Sequence, residues 1–157
     1  MAWLRVAALL APACLAAQSL QILPAPPQKD SGSFQIMLAN PAGKSIAGLQ
    51  WRVSVTGATV PKEYLNEGTA AKETHKMLAC ASVAGGAKAT AFICMLSGGK
   101  GLIAAGPVAV VRFAAAPGAH EVTVQVTGVV GATPDGHSID VKGAEATIAL
   151  DGGPGPQ

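Results

Sequence analysis

Charged side chains and aromatic rings are both scarce in this 157-residue sequence: 13% of it is Asp, Glu, Lys or Arg, and 4% is Phe, Trp or Tyr. The formal net charge is +2 and no run of basic residues is present. The electropositive, ring-bearing face that nucleic-acid binding needs is therefore missing, and no nucleic-acid partner is expected. Beyond the first seventeen residues no stretch is long and apolar enough to span a bilayer. Chemistry-bearing motifs are missing as well. No serine sits in a Gly-x-Ser-x-Gly turn; Ser97-Gly98-Gly99 and Ser31-Gly32-Ser33 are loop composition. Gly43-Lys44-Ser45 has Leu38 where a phosphate-binding loop requires its first glycine. His75, His120 and His137 match no ligand spacing, and Asp135 and Asp140 flank a turn without the run of oxygen ligands a calcium loop needs. Glu63, Glu67 and Glu73 share one polar segment and read as a solvated face, not as an acid/base pair. These absences argue against an enzyme, a metal or a cofactor.

What is present is glycine, proline and short apolar runs. The 19 glycines and 11 prolines are too many for a helical bundle and suit a chain full of turns. The first seventeen residues, MAWLRVAALLAPACLAA, stand apart. Arg5 gives a short positive region, Val6 to Leu15 an apolar one, and small residues surround a cleavage point after Ala16 or Ala17, the pattern of a secretory signal peptide. Pro12 interrupts the apolar run, which is short for a retained membrane anchor. Cys14 offers a lipoprotein alternative, although the preceding Ala11-Pro12-Ala13 lacks the usual leucine. Of the 11 basic side chains only Arg5 lies in this segment, so ten remain against nine acidic ones. The expected compartment is outside the cell or in the cell envelope.

Residues 18 to 150 read as one domain of short strands. Leu20 to Leu23 suits an edge strand, because Pro24, Pro26 and Pro27 follow it. Phe34, Ile36 and Leu38 alternate with polar or flexible neighbours, and Leu49, Trp51, Val53 and Val55 alternate with Gln50, Arg52 and Ser54, the period-two pattern of a strand with one dry face. Lys62 to His75 lacks that alternation and reads as a loop with a helical turn. Val108 to Ala114, Glu121 to Val130, Ile139 to Val141 and Ala146 to Leu150 complete the set, with Val122, Val124 and Val126 facing inward. The tail 151–157, DGGPGPQ, has nothing to bury and should be disordered. Seven to nine short strands without a crossover helix point to an antiparallel β-sandwich.

The densest apolar stretch, Lys76 to Leu96, folds on itself if Gly85-Gly86 reverses it. With the turn centred on Ala87, Cys80 faces Cys94, Ser82 faces Phe92 and Leu78 faces Leu96. Opposite strand positions meet the separation that a disulfide requires; the alternative is a pair of buried free thiols. Leu78, Cys80, Phe92, Cys94 and Leu96 fall on one face, and Ala79, Ala81, Ile93 and Met95 on the other. The hairpin is either covered on both sides or presents an apolar patch to a partner.

The order of these features resembles the cohesin-like domains, jelly-roll sandwiches related to some cellulose-binding modules. The carrying residues are FQIMLAN (34–40), IAGLQWRVSV (46–55) and the long segment LSGGKGLIAAGPVAVVRFAAAPGAHEVTVQVTGVVGATPDGHSIDV (96–141). EGTAAKETHKMLACA followed by FICMLSG is similar to a secreted bacterial subgroup with a cysteine pair on this hairpin. The resemblance implies a non-catalytic module that holds a dockerin-like partner on one face and takes part in extracellular polysaccharide degradation. The cysteine pair is outside the usual dockerin-binding pattern, so no dockerin-contacting residue is carried over. The expected surface is the sheet holding the hairpin, through Ile93 and Met95, with a dockerin-like or envelope protein as partner. The alternative is a carbohydrate-binding module taking polysaccharide. By alternation Trp51 and Phe34 belong to dry faces, which leaves Tyr64 as the one ring available for stacking on a sugar. A further alternative is a structural adhesion or surface-assembly unit.

Overall fold

The computed structural model describes residues 17–86 and 89–150. The segment expected as a leader, with Cys14, falls outside these residues except for Ala17, as do Ala87, Lys88 and the tail. Alternating sequence becomes strand throughout. β1 (Ser19–Pro24), β2 (Ser31–Ala39) and β3 (Gly48–Thr56) are followed by the two-residue β4 (Ala58–Thr59). The segment expected as a loop with a helical turn holds a 3-10 turn at Lys62–Tyr64, the short β5 (Leu65–Glu67) and one helix, α1 (Thr69–Glu73). β6 (Met77–Val83), β7 (Ala89–Ser97), β8 (Gly106–Ala115), β9 (Glu121–Ala132), β10 (Ser138–Asp140) and β11 (Ala144–Ala149) close the domain. Nine of these correspond to expected strands; β4 and β5 are the additions, too short for periodicity to reveal.

Two antiparallel sheets result. One runs β1-β2-β8-β4, with β5 also paired to β8; the other runs β10-β9-β3-β7-β6, with β11 also on β9. β1 lies at an edge, as its trailing prolines require. The two inner faces interdigitate: Phe34, Ile36, Leu38, Val108, Val111 and Phe113 meet Trp51, Val53, Val55, Phe92, Val122, Val124 and Val126, all at most 3% exposed. Burying each such side chain contributes roughly 1.5–3 kcal/mol. The Phe34 and Phe113 rings lie 6.4 Å apart, within aromatic-pair range. Among the described residues no helix is long and apolar enough to cross a membrane.

One irregularity changes which side chains reach solvent. Gln50 pairs with Val130, but Arg52 pairs with Thr127, so Gly128 and Val129 together face Trp51. This is a β-bulge, and Gly128 makes it at φ 58°, a conformation that glycine adopts without a Cβ penalty. The inside–outside parity of β9 therefore flips at Gly128. Val129 packs toward the core, while Val130 turns outward with 47% exposure. The clean alternation expected up to Val130 stops at Thr127.

Candidate interaction surface

The cysteine hairpin forms as its residue pattern requires. Cys80 pairs with Cys94, Ser82 with Phe92 and Leu78 with Leu96. Cys80 and Cys94 are paired as a disulfide, not as two free thiols. Gly86 takes φ 80° at the start of the reversal. Cys94 is buried and lies opposite Trp51 on the inner face of β3. The bridge thus ties the edge strand β6 to a strand anchored in the core.

The hairpin's other face is open. Met77 is 72% exposed, Ile93 40% and Met95 47%, and Ala79 and Ala81 are exposed beside them. Of the two alternatives, a hairpin covered on both sides does not hold: among the described residues none covers these side chains. Strand register places them in rows. Ala79, Met95, Gln50 and Val130 lie side by side across β6, β7, β3 and β9, and Ala81, Ile93, Arg52 and Thr127 form the next row. Between Met95 and Val130 a shallow depression of about 320 Å³ has Gly48, Gln50, Leu96 and Ala132 in its walls. Arg52 borders this zone, and its guanidinium donates a 2.7 Å hydrogen bond to the Ala84 carbonyl, pinning the charge toward the hairpin turn. Farther along the sheet the surface becomes polar, with Gln125 donating to the Glu145 carboxylate at 3.3 Å. A cluster of exposed apolar side chains interleaved with Gln50 and flanked by Arg52 has the composition of a protein-contact surface.

The structure brings Ile93 and Met95 together and adds Met77 and Val130, which sequence reasoning did not name. Val130 was hidden by the bulge, although a lone glycine inside a strand pattern signals such a feature. Met77 sits at the hairpin's open end, one residue after a polar segment. Glu67 also differs from its expected role as part of a solvated face. It is half-buried, and its carboxylate accepts a 3.2 Å bond from the Leu78 N–H. One open donor of the β6 edge is thereby satisfied. Lys76, at 5% exposure, donates a 2.7 Å bond to the Gly98 carbonyl and fixes the loop beneath that edge.

Tyr64 ends the 3-10 turn beside the opposite sheet, away from this zone. It is half-buried and packs against the core, and the Arg112 guanidinium carbon stands 4.4 Å above its ring centre. This cation–π contact occupies one ring face. A hollow of about 310 Å³ beside it is walled by Gln28, Ser31 and Ser33. Trp51, Phe34, Phe92 and Phe113 are all buried, as alternation requires for the first two. The indole N–H of Trp51 is buried without a hydrogen-bond partner.

The Thr133–Gly136 turn holds a small network around the Asp135 carboxylate. The Thr133 hydroxyl donates to the Asp135 carboxylate, and the His137 ring nitrogen Nδ1 lies 2.8 Å from its other oxygen. Both contacts, the hydroxyl's foremost, hold the Asp135 carboxyl below its ordinary range. The group is fully exposed and serves the turn, whose backbone closes through a 2.9 Å bond from His137 N–H to the Thr133 hydroxyl. No three His, Cys, Asp or Glu side chains among the described residues converge as a metal site.

No protein-family model matches the chain, and no curated relative matches it. Solved structures do resemble it. A non-cellulosomal cohesin from the archaeon Archaeoglobus fulgidus superposes with TM-score 0.65 at 13% identity, over 86% of this chain and 91% of that one. The sixth cohesin of scaffoldin B from Acetivibrio cellulolyticus, solved with a Cel5 dockerin, gives 0.68 at 11% identity, over 87% and 100%. A type I cohesin–dockerin complex from Clostridium thermocellum gives 0.62 at 12% identity, over 84% and 99%. At such identities the likeness is one of architecture, and it spans nearly the whole of both chains: this protein has the cohesin-like β-sandwich fold.

Proposed function

We propose that the protein is a non-catalytic binding module, exported to the cell envelope or beyond, that docks another protein on the outer face of its six-stranded sheet. The observation that carries this reading is the uncovered apolar zone formed by Met77, Ile93, Met95 and Val130. Exposed methionines suit a contact surface, since their flexible thioethers adapt to a partner's shape. The disulfide beneath keeps the face rigid, which lowers the ordering cost of association. Solved cohesins of the same fold carry dockerins, and a dockerin-like module, within a polysaccharide-degrading assembly, is the partner class we favour. The leader-like first seventeen residues and the disulfide support an oxidising compartment.

The test is affinity capture from the culture medium and envelope fraction of the producing organism, comparing the native protein with an Ile93→Lys/Met95→Lys variant. A partner held by the first and released by the second, with unchanged melting, supports the reading. Equal retention by both proteins counts against it. A carbohydrate-binding reading centred on Tyr64 has the neighbouring polar hollow in its favour, but the ring offers only one free face. A glycan array without hits removes that reading. Self-assembly of the module would show as concentration-dependent sedimentation.

A further inference from the structure

Gln18 is where the chain is first tied into the fold. Its carbonyl accepts a 2.9 Å bond from the Lys142 N–H, and the Leu20 N–H donates a 2.8 Å bond to the Lys142 carbonyl. Ala17, just before it, is exposed. The Gln18 side chain is only 6% exposed, yet its amide nitrogen Nε2 is buried with no hydrogen-bond partner. It borders a hollow of about 420 Å³ shared with Lys44, Ser45, Ser138 and Asp140. A buried primary amide with no acceptor is unfavourable, and folded proteins rarely keep one. The Ala17–Gln18 bond is also one of the two places where the leader pattern expects cleavage. Cleavage there would make Gln18 the first residue of the mature chain.

We infer that the mature protein begins at Gln18 and that this residue closes to pyroglutamate. The inference rests on the export part of the proposed function and is independent of the docking face. In the reaction the freed α-amine nitrogen attacks Cδ of its own side-chain amide. A new N–Cδ bond closes a five-membered lactam and the Cδ–Nε2 bond breaks. Nε2 departs as ammonia, taking one proton from the α-nitrogen. Nothing is oxidised or reduced, and no co-reactant is consumed. The atom expelled is the one that the fold leaves unpartnered. Ring closure also removes the positive charge that a free α-amine carries at neutral pH. The product is an uncharged terminus anchored by its carbonyl to Lys142.

The test uses the full-length chain expressed and exported by its own host. Amines are labelled before digestion, so that closure during handling is not mistaken for closure in the cell. The expected N-terminal peptide begins at residue 18, is unlabelled, and is lighter by one ammonia than the same peptide with free glutamine. Pyroglutamyl aminopeptidase should then expose Ser19. In a Gln18→Asn variant cut at the same bond, the amine should take the label. A labelled peptide of full mass beginning at Gln18 overturns ring closure and leaves export standing. A chain beginning at Ala17 also overturns it, because a preceding residue forbids the ring. A chain retaining residues 1–17 overturns both this inference and the export reading.

Discussion

The two outer faces of the sandwich meet the same solvent with different chemistry: one mixes polar and apolar side chains, and the other gathers its large apolar ones. On the five-stranded sheet apolar and polar side chains are interspersed: Leu23, at 53% exposure, Gln35, Val110 and Asn66 lie in one row, Ser33 pairs with Arg112, and the one half-exposed ring is shielded by a guanidinium. On the six-stranded sheet the corresponding rows carry Met95, Ile93 and Val130, with alanines beside them. Both faces rest on the same core, so inner packing does not dictate the difference. The solvent-facing part of a methionine or isoleucine gives the isolated domain no burial energy. On the proposed reading a docked partner covers this cluster, whereas the mixed face, with Leu23 alone among polar neighbours, gathers no such cluster.

That contrast can be broken from beneath or sharpened at its surface. The largest effect should come from Trp51→Ala, which removes the indole that supports β3 under the apolar rows. Truncating so large a buried side chain costs about 3–5 kcal/mol, and denaturant melts should show both faces lost together. Replacing Cys80 and Cys94 by serine removes a cross-link over a loop of about 15 residues, which the chain-entropy model values at about 3 kcal/mol. Here the comparison sharpens. Hydrogen exchange should rise first in β6 and β7, while β2 and β8 on the mixed side stay protected. Because Trp51 lies opposite Cys94, reduction of the bridge should also change the emission of the indole. Gly128→Ala forces a side chain into φ 58° and should cost about 1 kcal/mol, read as a lower melting midpoint. The smallest effect lies outside either face, at Asp135. Its folded-state carboxyl titrates below the unfolded one. Its contribution is therefore complete above the ordinary carboxylate range near pH ~4 and is lost as pH falls through the lower folded value. Asp135→Asn should therefore lower stability slightly at neutral pH, leave it unchanged in strong acid, and so flatten the acid limb of the profile.

Much of this was legible in the sequence, for a physical reason. Phe34, Leu49, Trp51, Val53, Val55, Val122, Val124 and Val126 announce themselves because a half-buried strand repeats every two residues. The Cys80–Cys94 pairing follows from counting back from a diglycine turn. The open hairpin face was harder. Ala79, Ala81, Ile93 and Met95 are as apolar as a covered surface, and composition alone does not say whether another layer lies above them. Val130 was illegible for a different cause: the Gly128 bulge inverts parity within one strand, and alternation has no memory of such a shift. β5 is visible only through its partner β8, because three residues carry no period. Glu67 looked solvated since its acceptor role depends on an edge donor, Leu78 N–H, eleven positions away.

The central claim, that the two faces differ because one of them is a docking surface, is tested most directly by site-specific photocross-linking in the producing organism. One version of the protein carries the photoreactive side chain at position 95 and another carries it at position 112. The account predicts a discrete covalent adduct with a second protein from position 95, lost when Ile93 is changed to lysine, and none from position 112. Adducts from position 112 alone, or from both positions equally, would contradict it.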